Sequence, residues 1–310
     1  MRKDYARIAR DFMRALRGRR SQAAFSRRLG YRTNVAYVWE SGRSFPTAAN
    51  MLAAAARVGI DVPSAISRFY LRTPAWLSGG IEATSREGVA ALLDDLRGRT
   101  SLVDLARAAG KSRFAVARWL RGAAEPRLPD FFLLVEKASL RLLDFVAAFT
   151  EPARLPSVAK AWNELEATRR AAYDVPWTQG VLRALELTDY RALPRHEPGW
   201  IAARIGISSD EEQRCLRLLA RTGQVFLREG RWELREILAV DTRRDPEQEL
   251  RVKDWWTEVA RERLRVGQPG IFSYNVFAVS EADLQRINDL YRAYFRQVRS
   301  IIAESQPSER

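Results

Sequence analysis

Between residues 16 and 46, apolar positions and helix-ending residues alternate on a short period. Ser21 is placed to cap a helix whose Ala24, Phe25 and Leu29 share one face, and Gly30 ends it. A second short helix, from about Thr33 to Glu40, turns Ala36 and Trp39 inward before Gly42 and Pro46 close it. An amphipathic helix is predicted next, over 48–58. Two short helices about a tight glycine turn, braced by flanking helices, make a helix-turn-helix.

Eighty residues later the same signals return. Ser101 and Asp104 form a capping pair, Leu105 points inward, and Gly110 makes the turn. Val116, Trp119 and Leu120 point inward again before Gly122 and Pro126. Laid without gaps, 16–46 and 96–126 agree at ten of thirty-one positions. About two or three matches are expected by chance at average residue usage. The chain therefore holds an internal duplication, and each copy is too small to be an enzyme.

Charge singles out these copies. Residues 1–80 hold fifteen Lys and Arg against four Asp and Glu, 81–150 hold eleven against nine, and the remainder is balanced at twenty-six against twenty-five. The second copy is basic locally, with Arg97, Arg99, Arg107, Lys111, Arg113, Arg118 and Arg121 against Asp104 alone. Arginines confined to small helical units are the electrostatic footprint of a nucleic-acid site, and solvation of the surface is the plainer alternative.

The stretch SQAAFSRRLGYRTNVAYVWESGRSFP resembles the repressor/Cro-type (XRE-type) helix-turn-helix, through Ser21, Gln22, Phe25, Gly30, Trp39, Glu40, Gly42 and Pro46. The second copy keeps the pattern except for Leu102 and Leu120 in place of the glutamine and glutamate. The resemblance implies double-stranded DNA as partner and regulation of transcription as function, with Gln22 bracing the phosphate backbone. Arg19, Arg20, Arg32 and Arg43 are expected beside phosphates, joined by Arg99 and Arg121 in the second copy. If Ala36 and Trp39 face the core, Thr33, Asn34, Tyr37 and Val38 face outward at the start of the recognition helix. Asn34 can pair with adenine, and Tyr37 can reach phosphate or a thymine methyl. The corresponding outward set is Arg113, Phe114, Ala117 and Arg118, either arginine being able to read guanine. Two fused copies are expected to act as a built-in pseudo-dimer, and the connector over 72–87 leaves tandem and inverted arrangements equally open.

Beyond 150–158 the pattern predicts helices over 158–173 and 177–189. The stretch 198–238 then resembles a winged helix, with a hairpin turning at Glu229 and Gly230. Asp210, Glu211 and Glu212 stand where phosphate would approach its reading helix, so this unit is read as a packing or dimerising module. Val252, Trp255, Trp256, Val259 and Leu264 form an apolar helix face, 270–280 is strand-like, and Ser280 with Asp283 starts a long helix. Its stripe of Leu284, Ile287, Tyr291, Tyr294, Val298 and Ile301 reads as core, with a homodimer seam as competitor. This order resembles the C-terminal domain of a group of uncharacterised bacterial regulators. The expected fold is mainly α, with tandem repressor-like helix-turn-helix bundles at 1–72 and 85–150. A winged-helix-like α+β C-terminal domain is expected at 158–310, divided into 176–238 and 250–304.

Composition excludes other classes. With 310 residues, 46% apolar and 29% charged, the chain suits a soluble globular protein of two or three cores. No run approaches a membrane span and the first twenty residues are not those of a secretory signal, so a cytoplasmic location is expected. One cysteine, Cys215, and one histidine, His196, leave no disulfide and no thiolate- or histidine-rich metal site. Lys160 near Ser157 lacks the surroundings of a self-cleaving pair, and His196 sits in a proline-flanked loop without an acid partner. No catalytic residue, cofactor or metal is expected. The competing function is an antitoxin-like or adaptor protein whose C-terminal half binds a protein partner.

Overall fold

The computed structural model describes residues 3–98, 100–235, 242–272, 276–304 and 309, with side chains throughout except at 292, 293, 295–297 and 299–304. The chain divides into two compact units, Met1–Glu166 and Ala167–Arg310.

The first unit opens with α1 (Tyr5–Arg17), α2 (Gln22–Arg28), α3 (Val35–Ser41), α4 (Ala48–Arg57) and α5 (Val62–Tyr70). A short connector helix, α6 (Ala75–Ser78), leads into α7 (Arg86–Arg97), α8 (Leu102–Ala109), α9 (Arg113–Leu120), α10 (Leu128–Ser139) and α11 (Leu142–Phe149). Adding eighty to the residue number maps α1–α5 onto α7–α11 with every boundary agreeing to within two residues. The repeat is thus a five-helix unit, larger than the stretch in which sequence identity is visible. Ser21 and Ser101 cap α2 and α8 by accepting from Ala24 N and Asp104 N, and Gly110 ends α8 at φ 60°, where a side chain would be strained.

The copies are joined through equivalent residues. Ala48 N donates to Pro126 O at 3.0 Å and Leu128 N donates to Pro46 O at 2.9 Å, flanking an antiparallel bridge between Thr47 and Arg127. Each residue here faces its own counterpart in the other copy, the signature of a twofold relation. Packing follows the same symmetry: α1 lies on α10 and α7 on α4, while α5 lies on α11. A second self-equivalent pair, Arg68 Nη2 to Ala148 O at 3.1 Å, marks the axis again. The arrangement is inverted, which the connector did not reveal.

One aromatic core serves both copies. Phe12 of α1 meets Phe132 of α10 edge-on at 5.4 Å, and Phe69 of α5 meets Phe145 of α11 at the same distance. Phe145 also contacts Phe131 at 5.4 Å and Phe149 at 5.1 Å. Edge-to-face contact places the positive ring rim on the negative face of the neighbour. A shared core denies either copy an independent boundary. The segment after α11 is tied back as well, since Ser157 N donates to the buried Asp11 of α1 at 3.0 Å.

Helix α12 (Ala159–Asp174) carries the chain into the second unit. There α13 (Thr178–Ala184), α14 (Thr188–Arg191), α15 (Trp200–Ile205) and α16 (Ser209–Arg221) precede β1 (Val225–Arg228) and β2 (Arg231–Leu234), an antiparallel hairpin in the register Val225↔Leu234. Glu229 and Gly230 both take positive φ at the tight turn, as expected from sequence. Val181, Tyr190, Ile201, Cys215, Leu216, Leu219 and Val225 are buried together in the core. Then come α17 (Pro246–Arg265) and α18 (Glu281–Glu304).

Four expectations are corrected here. The single helix over 177–189 is broken at 185–187 into α13 and α14. The strand over 270–280 does not form among the described residues 270–272 and 276–280: Ile271 is fully exposed and no strand lies beside it to complete its hydrogen bonds. Leu284, Ile287, Tyr291 and Tyr294 of α18 are exposed, so the stripe is not core within one chain, while the side chain of Ile301 lies outside the described residues. Glu212, expected at the surface, is wholly buried, because it accepts from Gly199 N at 3.1 Å and Ala202 N at 2.5 Å and so satisfies the start of α15. Burial pushes its carboxyl up, but hydrogen bonds from His196 and these amides outweigh that and hold its pKa below the ordinary value.

Replacing Phe145 by alanine empties the shared core and is expected to cost about 3–5 kcal/mol in urea unfolding. Hydrogen exchange checks the sharing: protection is lost in α1–α5 as well as in α7–α11, whereas independent copies would lose it in α11 and its own copy alone.

Candidate nucleic-acid interface

Helix α3 is fixed from two sides. Ser26 of α2 is buried, and its Oγ accepts from Ala36 N at 3.0 Å and lies 2.8 Å from Gln22 O and 3.2 Å from Asn34 Oδ1. Asn34 Oδ1 also accepts from Tyr37 N at 3.3 Å, which makes Asn34 the N-cap in place of Thr33. The asparagine carbonyl is committed to the fold, and only its Nδ2 remains for a partner. At the other end of α3, Glu40 is 6% exposed and receives Arg17 Nε at 2.6 Å, Arg17 Nη2 at 3.2 Å and Gln22 Nε2 at 2.9 Å, with Arg14 Nε at 3.6 Å. Burial raises the Glu40 pKa, but hydrogen bonds from Arg17 and Gln22 and the charges of Arg17 and Arg14 outweigh it and leave the carboxyl below its ordinary range.

What remains outward is cationic and aromatic. Tyr37 is 44% exposed, and the Arg43 guanidinium sits 5.3 Å from its ring centroid. Arg19, Arg20, Arg32 and Thr33 are exposed in the segments leading into α2 and α3, while Gln22 is half-buried and keeps one amide proton beyond the one given to Glu40. Ser26 and the Arg17–Glu40 pair went unrecognised in the sequence. An acidic residue closing the second short helix of so basic a copy was the available signal.

The second copy has the same frame with a different surface. Its counterpart of α3, α9, is capped by Ser112, whose Oγ accepts from Ala115 N at 3.2 Å, two register positions before the Asn34 cap. Ala106 replaces Ser26, so the hydroxyl that draws α3 onto α2 has no counterpart. Leu102 and Leu120 stand where Gln22 and Glu40 form the polar cluster. With Val103, Phe114 and Ala117 they line an open groove of about 640 Å³ that Asp94, Arg97, Arg113 and Arg121 also border. Arg97, the counterpart of Arg17, turns instead to Asp94 at 2.7 Å, while its bond to Thr100 O at 2.9 Å repeats that of Arg17 to Arg20 O. Trp119 and Leu120, expected inward, are only partly buried, and Leu120 lines the groove.

Phe114 is 75% exposed under the Arg113 guanidinium, 5.5 Å from the ring centroid. Arg118 is exposed, and Arg121 Nε donates to Ala117 O at 3.2 Å with the rest of its guanidinium at the rim. Arg99 lies outside the described residues. Each copy therefore gathers its proposed contacts around one short helix.

His196, read from sequence as lacking an acid partner, has Glu212 Oε1 3.3 Å from its Nε2. Burial, then the Glu212 charge, pushes the Cys215 thiol up to about 12, which keeps it protonated and unreactive. Among the described residues no His, Cys, Asp and Glu group is placed to hold a metal ion, and no helix is long and apolar enough to cross a membrane.

Comparison with known proteins locates one family. Residues 158–310 match the model of a domain of unknown function, DUF4423. The match begins after both N-terminal copies. Neither curated proteins nor solved structures yield a match.

The Glu40 cluster carries a pH signature. A carboxyl whose pKa is lowered by folding stabilises fully above its unfolded value, about 4.3, and that contribution is lost as pH falls through the folded value. Wild-type unfolding free energy should therefore drop below about pH 4.3. In Glu40→Gln the stability at pH 7 is lower and the acid slope attributable to this group disappears, as urea titrations from pH 3 to 7 will show.

Proposed function

We propose that the protein is a sequence-specific double-stranded DNA-binding regulator of transcription, with α3 and α9 as major-groove readers. The observation that carries this reading is the pair of register-matched short helices. Each is braced from behind and presents an exposed aromatic with arginine beside it, Tyr37 with Arg43 and Phe114 with Arg113. The resemblance of 21–46 to repressor/Cro-type readers supports it. Guanidinium forks suit guanine edges and phosphates, and exposed rings suit thymine methyls. Asn34 contributes through Nδ2 alone, while Arg19, Arg20, Gln22, Arg32 and Arg43 hold the backbone of the first half-site and Arg121 that of the second, where Arg113 and Arg118 face the bases.

The C-terminal half serves association. Leu284, Ile287, Tyr291, Tyr294 and Val298 of α18 repeat at intervals of three and four, the spacing of a coiled-coil seam, and an identical helix from a second copy matches it residue for residue. The competing reading, an adaptor that grips a protein partner, draws on the exposed Ile271, Val276 and Phe277 nearby.

Gel shifts of the purified chain on genomic fragments, with competitor DNA, separate the two readings. Selective retention supports the regulator, and indifference to sequence removes it. Neutralising about six phosphates gives a slope near −5 for log affinity against log salt. Tyr37→Ala with Asn34→Ser, which keeps a capping oxygen, should reduce selection about tenfold or more without lowering the melting temperature. Sedimentation checks the seam: Leu284→Glu with Ile287→Glu is expected to turn a dimer into a monomer with unfolding unchanged.

A further inference from the structure

We propose that a single chain reads one inverted pair of unlike half-sites, the second half-site being recognised through apolar contact with thymine methyls beside guanine. This rests on the DNA-binding reading above and goes beyond it in stoichiometry, geometry and chemistry. The geometry comes from the twofold relation. The paired bonds at Pro46, Ala48, Pro126 and Leu128 lie on the axis, and α3 ends at Ser41, six residues before Thr47. Rotation by half a turn leaves height along the axis unchanged, so the ends of α3 and α9 lie at the same level on opposite sides of it. Six extended residues span at most about 21 Å, so those ends are at most about 42 Å apart. The separation of about 34 Å between successive major-groove faces falls within that limit.

The chemistry comes from the substitutions between copies. In the first copy the base of the recognition helix is a polar cluster of Arg17, Gln22 and Glu40, and the exposed residues are Thr33, Asn34 and Tyr37. In the second the same places hold Leu102 and Leu120 around an apolar groove, with Phe114 exposed and Arg113 and Arg118 beside it. A ring and leucines offer no hydrogen bond to a base edge. They favour the C5 methyl of thymine, while the flanking guanidiniums fit guanine O6 and N7. Two identical half-sites would leave one of these faces mismatched.

Selection of random-sequence duplexes with the full chain, followed by titration of the recovered duplex at concentrations far above its dissociation constant, tests the proposal. A motif of two different boxes saturated by one chain supports it, with hydroxyl-radical protection on one face of the duplex. A palindrome needing two chains, or a single box, overturns it while leaving the DNA-binding reading intact. Recovery of no motif removes both. Orientation is tested by giving the second reader the first reader's surface through Arg113→Thr, Phe114→Asn, Ala117→Tyr and Arg118→Val. The selected site should become an inverted repeat of the first box, and a direct repeat overturns the inverted geometry. Should that variant fail to melt cooperatively, replacing thymine by deoxyuridine in the wild-type motif decides the chemistry. Affinity should fall about threefold or more for the second box, and an unchanged affinity there overturns the methyl contact.

Discussion

Two backbone hydrogen bonds and a ring cluster hold the N-terminal unit together as one body. The exchange between Pro46, Ala48, Pro126 and Leu128 fixes the register of the two copies, and the phenylalanines around Phe145 fix the angle between them. A side-chain interface alone could slide by a helical turn. The backbone bonds cannot, because each amide has a single carbonyl opposite it and an unpaired one would remain desolvated. Everything attributed to α3 and α9 as a pair follows from that constraint.

Helices α3 and α9 show how one frame tolerates different chemistry. Glu40 is held by Arg17 and Gln22, and loss of Arg17 would leave the buried carboxylate with only Gln22 and the more distant Arg14. At the corresponding positions the second copy has changed both Gln22 and Glu40 to leucine, and its Arg97 has been released to Asp94. With the carboxylate absent, the second copy has no buried acid for an amide at 102 to hold, and leucine fits both places. Ser26 and Ala106 make a further difference of the same kind, since the hydroxyl binds the start of α3 and the methyl leaves α9 free to begin two positions earlier.

Local signals were legible in the sequence and relational ones were not. Ser21, Ser101, Gly110 and the inward Phe25, Ala36 and Trp39 announce themselves by cap chemistry and period, and each is found where that chemistry places it. The inverted arrangement was hidden, because nothing in Pro46 or Leu128 reveals a partner eighty residues away. Asn34 was read as a base contact while its carbonyl serves as a cap. Glu212 looked like a surface acid because its neighbours Asp210 and Glu211 are, yet it faces the amides of α15. Tertiary partners decided these positions. The stripe of α18 was legible as amphipathic, but periodicity alone does not say whether the covering surface belongs to the same molecule.

Covalent fusion of the two halves changes what dilution can do. A pair of separate five-helix bundles falls apart as protein becomes scarce, whereas halves joined through α6 meet at an effective concentration set by a short tether, independent of how many molecules a cell holds. Fusion also frees each half from obeying its twin: a mutation in α9 leaves α3 untouched, which no homodimer permits. The leucines at 102 and 120 record that freedom, a divergence open only to a duplicated gene product that carries its own partner.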